Sequence, residues 1–338
     1  MLEYDPMDVS HILDSLNDEQ RNAVASPTKN LLVLAGAGSG KTRVLVHRIA
    51  WLLQAEQVSP FAILAVTFTN KSAREMRGRI ESLLGHSAGG MWVGTFHGLA
   101  HRLLRAHWHE AGLVEDFHIL DADDQLRLIK RINRSLNIDE ERWPAKQCQW
   151  YINGQKDEGL RASNIDHEND DYIKTMLDIY RAYEDACQRG GMIDFGEILL
   201  RAHELWLRSP QILDHYRKRF KHILVDEFQD TNSIQYAWLR VLAGDQNNLM
   251  VVGDDDSPSM AGAALKLKIY SSSTPILRAL KLSNWSATIA PLPLFSKRPT
   301  VLFHTTKADW VKTFGQMTVK ANRLVCTKHL TNKTKPVL

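Results

Sequence analysis

The feature that most constrains the fold of this chain is a glycine-rich segment that joins an apolar run to an amphipathic stretch. Residues 30–42 are Asn-Leu-Leu-Val-Leu-Ala-Gly-Ala-Gly-Ser-Gly-Lys-Thr, and apolar side chains recur at helical spacing over residues 43–53. Closely spaced glycines let the backbone curl until several N–H groups point at one anion, and a helix N-terminus adds partial positive charge. The segment therefore predicts a strand, a phosphate-binding loop and a helix, as in folds that bind nucleoside triphosphates.

Two side chains of this loop have distinct predicted roles. Lys41 is expected to reach the terminal phosphates, and the Thr42 hydroxyl can ligate Mg²⁺. Ala35 stands where the strict motif has glycine, but a small side chain can still fit there. The alternative is an incidental glycine-rich turn, which the flanking strand and helix disfavour. The predicted nucleotide-binding set is Ala35, Gly36, Ala37, Gly38, Ser39, Gly40, Lys41, Thr42 and Arg43.

Length and composition exclude several classes of protein. The 338 residues are enough for two domains with a substantial core. No apolar run reaches the roughly 18 residues of a membrane span, and residues 1–6 lack the basic start and apolar centre of a signal peptide. The cysteines, Cys148, Cys187 and Cys326, form neither a disulfide framework nor a zinc pattern. We therefore expect a protein of the reducing cytoplasm.

Further apolar runs predict the remaining strands of an α/β sheet, at residues 62–70, 91–98, 222–231 and 249–254. Ligands of open α/β sheets gather beyond the strand ends, where this chain carries hydroxyl, aromatic and polar groups. Such groups suit single-stranded nucleic acid, because hydroxyls bind phosphates and bases stack on rings. The alternative is that the phenylalanines are core residues and the histidine is structural. The residues concerned are Thr67, Phe68, Asn70, Thr95, Phe96 and His97.

Residues 121–220 differ from the rest of the chain in sequence pattern, with helical spacing of apolar residues and little glycine. A block of this kind between strands predicts an inserted helical subdomain. Its tryptophans, Trp143, Trp150 and Trp206, are expected to lie in the core or at subdomain contacts.

Two adjacent carboxylates follow the three apolar residues Ile223, Leu224 and Val225 in the predicted strand segment at residues 222–231. Asp226 is expected to hold Mg²⁺, and Glu227 to orient and deprotonate an attacking water, because phosphoryl transfer needs a positioned nucleophile. An Asp-Glu pair alone is weak evidence. Its position after an apolar strand and downstream of Lys41-Thr42 makes it specific.

Four segments together resemble the superfamily 1A, UvrD-type DNA helicases: Ala35–Thr42, Thr67–Met76, Thr95–Gly98 and Asp226–Asn232. The resemblance covers approximately residues 7–256. It implies a RecA-like motor domain with a helical insertion, translocation 3′→5′ on single-stranded DNA, and use of ATP with Mg²⁺. The implied partners are single-stranded DNA, 3′-tailed duplex DNA and proteins of nucleotide-excision and mismatch repair. The implied division is 7–120 and 221–256 for the motor domain and 121–220 for the insertion.

The same resemblance assigns roles to individual residues. Gln20 would contact adenine, although taken alone it is more simply a solvated helix residue. Lys41 would bind the β- and γ-phosphates, Thr42 and Asp226 the magnesium, and Glu227 would be the catalytic base. Gln229 would belong to the nucleotide-binding set and would help couple nucleotide state to DNA. Thr67, Phe68, Asn70, Thr95, Phe96 and His97 fall in motifs that touch the DNA strand.

The resemblance stops after Asp256. The family continues with Gln-Ser-Ile-Tyr-Gly-Trp-Arg-Gly-Ala, and a codon string for that sequence and the four bases after it, with its first base deleted, translates as residues 257–266 of this chain. Residues 282–291 can likewise be encoded so that the neighbouring frame spells Ile-Gln-Leu-Glu-Arg-Asn-Tyr-Arg-Ser, which is similar to the next family motif. We therefore interpret residues 257–338 as an out-of-frame, non-native and poorly ordered tail. A genuine basic tail is the alternative, since this segment has thirteen Lys or Arg and one acid.

The functional hypotheses follow from these motifs. The first is an ATP-dependent DNA helicase by lineage that binds nucleotide weakly and has little or no DNA-stimulated ATPase activity as written. The second is a non-catalytic fragment that binds ATP or single-stranded DNA. A P-loop enzyme of another kind, such as a nucleotide kinase or a transporter ATPase, is disfavoured because no Leu-Ser-Gly-Gly-Gln signature occurs.

Overall fold

A parallel sheet organises the part of the chain that the structure describes. The computed structural model describes residues 9–27, 30–36, 38–166 and 170–254, and beyond them only a short antiparallel pair, Thr288–Ile289 with Phe303–His304. In chain order the other strands are β1 (Asn30–Leu34), β2 (Ile63–Thr67), β3 (Trp92–Thr95), β4 (His118–Ile119), β5 (Met192–Ile193), β6 (His222–Val225) and β7 (Asn248–Gly253). Five of them form one sheet in the order β1-β7-β6-β2-β3, and β4 pairs separately with β5.

Helices connect these strands and cover the sheet. They are α1 (Ser10–Leu13), α2 (Asp18–Val24), α3 (Lys41–Gln54), α4 (Asn70–Leu84), α5 (Phe96–Ala106), α6 (Ala122–Ser135), α7 (Ala145–Asp157), α8 (Asp171–Arg189), α9 (Phe195–Arg208), α10 (Pro210–Arg219) and α11 (Ser233–Ala243). Single 3₁₀ turns lie at Pro60–Ala62, Ala162–Asn164 and Phe228–Asp230. None of the helices that the structure describes combines the length and apolar surface needed to span a bilayer.

Both faces of the sheet are buried, which explains why its strands are apolar runs rather than alternating patterns. On one face Ile63 and Ala65 of β2 pack with α1–α4. On the other face Leu64 and Val66 pack with α5, α9, α10 and α11. The predicted α/β fold, a parallel sheet flanked by helices, is confirmed.

All strands of the sheet are parallel, so their carboxyl ends meet at one edge. Thr67, the last residue of β2, lies beside Thr95 of β3, and the neighbouring Val66 lies beside Val225 of β6. Leu34 of β1 pairs with Gly253 of β7. The predicted phosphate loop, the predicted carboxylates and the predicted DNA contacts therefore all leave the sheet at this edge.

The helical block at residues 121–220 divides between two cores. Helices α6, α7 and α8 bury their apolar faces in a core of their own, which includes Ile129, Ile152 and Tyr180. Helices α9 and α10 belong instead to the core beneath the sheet, where Trp206 is buried. The block is also not purely helical, because Met192–Ile193 forms β5. The domain boundaries at 120 and 220 stay a prediction.

One expectation about the tryptophans is wrong. The side chain of Trp150 on α7 is 64% exposed, with the Lys146 ammonium 5.7 Å from its ring centroid. Position 150 falls on the outer face of α7, and spacing along the sequence did not reveal that face. The predicted out-of-frame tail at 257–338 lies outside the described residues apart from the two short strands.

A buried cluster of charges joins α7 and α8 to α9. The Lys156 ammonium lies 2.6 Å from Asp194 Oδ2 and 3.0 Å from Glu197 Oε2. Arg161 bridges Glu197, Glu184 and Glu204. Burial alone raises the pKa of Glu197, but the cations, Lys156 foremost, outweigh it and hold that pKa well below its ordinary value. These interactions connect the separate helical core to the helix that covers the sheet.

Candidate nucleotide and nucleic-acid site

The loop between β1 and α3 has the backbone conformation that its glycines predicted. Gly38 has φ +75° and Gly40 has φ +87°, both in the left-handed region that glycine adopts without steric cost. The Ala35 N–H donates to Gly253 O at 3.2 Å, which ties the start of the loop to β7. Ala37 lies outside the described residues. The loop thus curls over the carboxyl edge of the sheet, at the start of α3.

The Lys41 side chain lies against this loop. Its ammonium donates to Ala35 O at 2.8 Å and to Gly36 O at 3.1 Å, and it lies 3.5 Å from Asp254 Oδ2. The side chain is only 7% exposed. A cation held at this distance from the loop backbone is placed to neutralise phosphate charge there.

The Thr42 hydroxyl and the Asp226 carboxylate meet across the site. Thr42 Oγ1 donates to Asp226 Oδ2 at 2.9 Å, although the two residues are 184 positions apart. Asp226 directly follows β6 and is anchored by its N–H, which donates to Val66 O at 3.0 Å. Burial raises the pKa of the Asp226 carboxyl, even though the Thr42 hydroxyl opposes that shift. A divalent cation here would favour the ionised carboxylate.

The donor set fits a magnesium ion that keeps part of its water shell. Hydroxyl and carboxylate oxygens are the hard ligands that Mg²⁺ prefers, and one or two protein ligands are usual. Among the described residues, no group of three or more His, Cys, Asp or Glu forms an alternative metal site. The buried Ser39 hydroxyl makes no hydrogen bond to any described residue, so a donor in the loop is left for an anion.

Glu227 adopts an unusual backbone conformation. Its φ of +48° and ψ of +45° lie in the left-handed region, which costs a non-glycine residue on the order of 1 kcal/mol. Its N–H donates to Asp226 Oδ1 at 3.1 Å. Gln229 Nε2 donates to Glu227 Oε2 at 2.5 Å, and Gln229 Oε1 accepts from the Asp254 N–H at 3.0 Å. The glutamine therefore connects the carboxylate of Glu227 to the end of β7.

Gln20 and Arg43 make contacts that sequence reasoning did not foresee. Gln20 Nε2 donates to Ser39 O at 3.2 Å, so its amide lies on the phosphate loop. Arg43 is exposed and donates to Ser15 O at 2.9 Å, which links α3 to the turn before α2. The adenine contact of Gln20 and the nucleotide contact of Arg43 stay predictions.

The predicted DNA-contacting residues differ in their exposure. Thr67 is fully buried and its hydroxyl donates to Thr69 O at 3.1 Å. Thr95 caps α5, since its Oγ1 accepts from the Gly98 N–H at 3.1 Å. Asn70, the first residue of α4, is exposed. Of these three, Asn70 is the most exposed to a DNA strand, Thr95 is half-buried and Thr67 is buried.

The aromatic residues make two ring contacts, one between Phe68 and Phe96 and one between His97 and Phe195. Phe96 is buried and packs edge-to-face on Phe68, with ring centroids 5.4 Å apart. Phe96 is therefore a core residue, as the alternative interpretation predicted. His97 stacks on Phe195, with ring centroids 4.1 Å apart and an angle of 23° between the planes. Burial lowers the pKa of His97 to about 4, so the ring is neutral at physiological pH.

Phe195 is the residue that sequence reasoning missed. Its side chain is 59% exposed while one side of its ring rests on His97. The chain places it at the first position of α9, directly after the capping residue Asp194. The sequence shows only that an aromatic residue stands at the start of a helix, and helical spacing alone predicts that such a residue is buried in the core.

A glycine loop after β1 that faces an Asp-Glu pair at the end of a second parallel strand defines a P-loop nucleoside triphosphatase fold. Residues 16–257 match the UvrD/REP helicase N-terminal domain, and the chain belongs to that family. The resemblance inferred from the motifs is confirmed.

Individual relatives are similar over the same part of the chain. DNA helicase II of Escherichia coli (strain K12) is 66% identical over 250 residues, which are 74% of this chain and 35% of that protein. DNA helicase II of Haemophilus influenzae is 58% identical over 254 residues, and the ATP-dependent DNA helicase PcrA of Staphylococcus epidermidis is 40% identical over 246 residues. The chain thus spans about a third of the length of the curated relatives it matches.

Proposed function

We propose that this chain is the nucleotide-binding motor domain of an ATP-dependent 3′→5′ DNA helicase of DNA repair. The observation that carries the proposal is the 2.9 Å contact of the Thr42 hydroxyl with Asp226 beside the glycine loop. It brings together, from distant parts of the chain, the two side chains that a magnesium–nucleotide complex needs. The names of the relatives, DNA helicase II and ATP-dependent DNA helicase PcrA, support the same assignment.

The residues of the site divide the chemistry of ATP hydrolysis. Lys41 and the loop N–H groups would bind the phosphates, and Thr42 and Asp226 would hold Mg²⁺, which supplies positive charge to the phosphate oxygens when bound. Glu227 orients the attacking water and accepts its proton. Gln229 positions the Glu227 carboxylate through the 2.5 Å hydrogen bond.

Single-stranded DNA is the proposed substrate along the carboxyl edge of the sheet. Phe195 offers an exposed ring on which a base can stack, and Asn70 offers an amide to the backbone. The buried residues Thr67 and Phe96 support this surface from beneath. A 3′-tailed duplex, repair proteins and a cytoplasmic location belong to the same proposal.

We expect this chain to bind ATP and DNA without efficient turnover. The family match ends at residue 257, and the family residues that follow the three aspartates are replaced in this sequence. An arginine from outside the site contributes about 10³–10⁵ in rate in related NTPases. A non-catalytic binding fragment is therefore the second candidate function, and the end of the match favours it.

A binding and turnover experiment on the purified 338-residue chain tests the proposal. Isothermal titration should show Mg²⁺-dependent ATP binding that weakens at least about tenfold in Lys41→Ala, the factor for one charge-assisted hydrogen bond. Lys146→Ala, an exposed lysine on α7, is the matched control and should bind as the wild type does. Absence of ATP binding by the wild-type chain would refute the proposal. Robust DNA-stimulated hydrolysis would refute only the expectation of low turnover.

A further inference from the structure

Gln20 is held in one conformation by the N-terminus of α2. Its Oε1 accepts from the Asn17 N–H at 3.2 Å, while Asn17 Oδ1 accepts from the Gln20 N–H at 2.8 Å. This reciprocal pair is a capping box, which satisfies two backbone donors at the helix start. The side chain is therefore fixed before any ligand arrives.

The other end of the same amide touches the phosphate loop. Gln20 Nε2 donates to Ser39 O at 3.2 Å and lies 3.1 Å from the point that a Cβ on Gly40 would occupy. The Gln20 residue is only 6% exposed. The amide is thus packed between α2 and the loop.

The hydrogen bond to Ser39 O fixes the orientation of one peptide group in the loop. In a trans peptide the C=O and N–H point in opposite directions, so the Gly40 N–H faces away from Gln20 when Ser39 O faces it. Gly40 also has φ +87°, and a glycine can adopt many other backbone conformations of similar energy. A glycine peptide needs an external contact to hold its N–H in one direction.

We infer that Gln20 is a positioning residue of the phosphate loop. Its hydrogen bond from α2 to Ser39 O holds the Gly40 N–H in the direction in which it can donate to a phosphate. This inference rests on the proposed nucleotide-binding function and concerns the phosphate end of the ligand. It differs from a contact with adenine, because bracing the loop strengthens binding of any polyphosphate, including one without a base.

Inorganic tripolyphosphate separates the two roles of Gln20, because it offers phosphates and no base. The experiment measures the affinities of the full chain for Mg²⁺-ATP and Mg²⁺-tripolyphosphate by titration calorimetry. Gln20→Glu keeps an oxygen for the Asn17 N–H and loses the donor to Ser39 O. Asn17→Ala is the matched control, because it weakens the cap of α2 and leaves the Gln20 amide in place. Thermal melting checks that each variant is folded.

In each of the variants Gln20→Glu and Gln20→Ala we expect binding of ATP and of tripolyphosphate to weaken alike, by at least about fivefold, because both variants lose the hydrogen bond to Ser39 O. Asn17→Ala should change either affinity by less than about twofold. The inference is overturned if the Gln20 variants weaken ATP but leave tripolyphosphate unchanged, since Gln20 then reads the base. It is also overturned if Asn17→Ala weakens tripolyphosphate as much as they do, since helix stability is then the cause. Failure of the wild type to bind either ligand would overturn the proposed function together with this inference.

Discussion

Replacing Lys156 with methionine should destabilise the fold strongly, because the lysine is the buried partner of two carboxylates. Its ammonium lies 2.6 Å from Asp194 Oδ2 and 3.0 Å from Glu197 Oε2, with every side chain at most 5% exposed. Methionine has a similar shape and no charge, so packing is largely kept while the carboxylates lose their cation.

The size of the destabilisation depends on which cations remain beside the two carboxylates. Removing one partner of a buried ion pair costs about 3–5 kcal/mol, because the other charge stays buried without compensation. Glu197 retains Arg161 at 2.7 Å and Arg201 at 2.8 Å, so Asp194 bears most of the loss and the lower end, about 3 kcal/mol, is expected. With a urea m-value of about 3 kcal/mol/M, the unfolding midpoint falls by about 1 M.

Urea unfolding of the full chain, followed by tryptophan fluorescence, measures this change. Lys146→Met is the control, because Lys146 lies on the same helix and is exposed. The double variant Lys156→Met with Asp194→Asn should recover part of the loss, since the amide is neutral and still caps α9. A Lys156→Met midpoint within about 0.2 M of wild type would refute the reasoning, because the cluster would then contribute little to stability.

Three further predictions concern protonation, metal and DNA. Burial lowers the pKa of His97 and His203 to about 4, below the value of about 6.5 in an unfolded chain. The contribution of these two neutral rings to the free energy of unfolding is therefore fully present above pH about 6.5 and is lost as the pH falls toward about 4. Urea unfolding across that pH range should show this loss, and an NMR pKa near about 6.5 for either ring would contradict it. Thr42→Val should weaken ATP binding when Mg²⁺ is present and change it little in EDTA, and an equal loss in both conditions would argue against a metal ligand. Phe195→Ala should weaken binding of a fluorescent oligonucleotide about 5- to 100-fold, as for one lost stacking contact, whereas the equally exposed Phe61→Ala should not.

Much of the fold and part of the site could be predicted from local sequence. The strand, glycine loop and helix at residues 30–54 follow from apolar spacing and from positions that need positive φ. The caps at Asn17 and Asn232 follow from the preference of asparagine for helix starts. These features depend on neighbours within a few residues, which a sequence displays directly.

Other features could not be predicted, because they depend on which face each element buries. The apolar spacing of α9 is the same whether it packs in a helical subdomain or under the sheet, and the structure places it under the sheet. The expectation that Trp150 lies in the core or at a subdomain contact is wrong for the same reason, because its side chain is exposed. The cluster around Lys156 joins residues from three helices, and no spacing along the chain indicates that they meet.

By itself the sequence determined that a glycine-rich loop follows β1 and that an Asp-Glu pair directly follows β6, because both are contiguous motifs with a local physical cause. Only the tertiary structure decided that Gln20 rests on the loop and that Phe195 stacks on His97 as an exposed ring. These contacts join residues far apart in the chain, and packing geometry alone sets the distances between them.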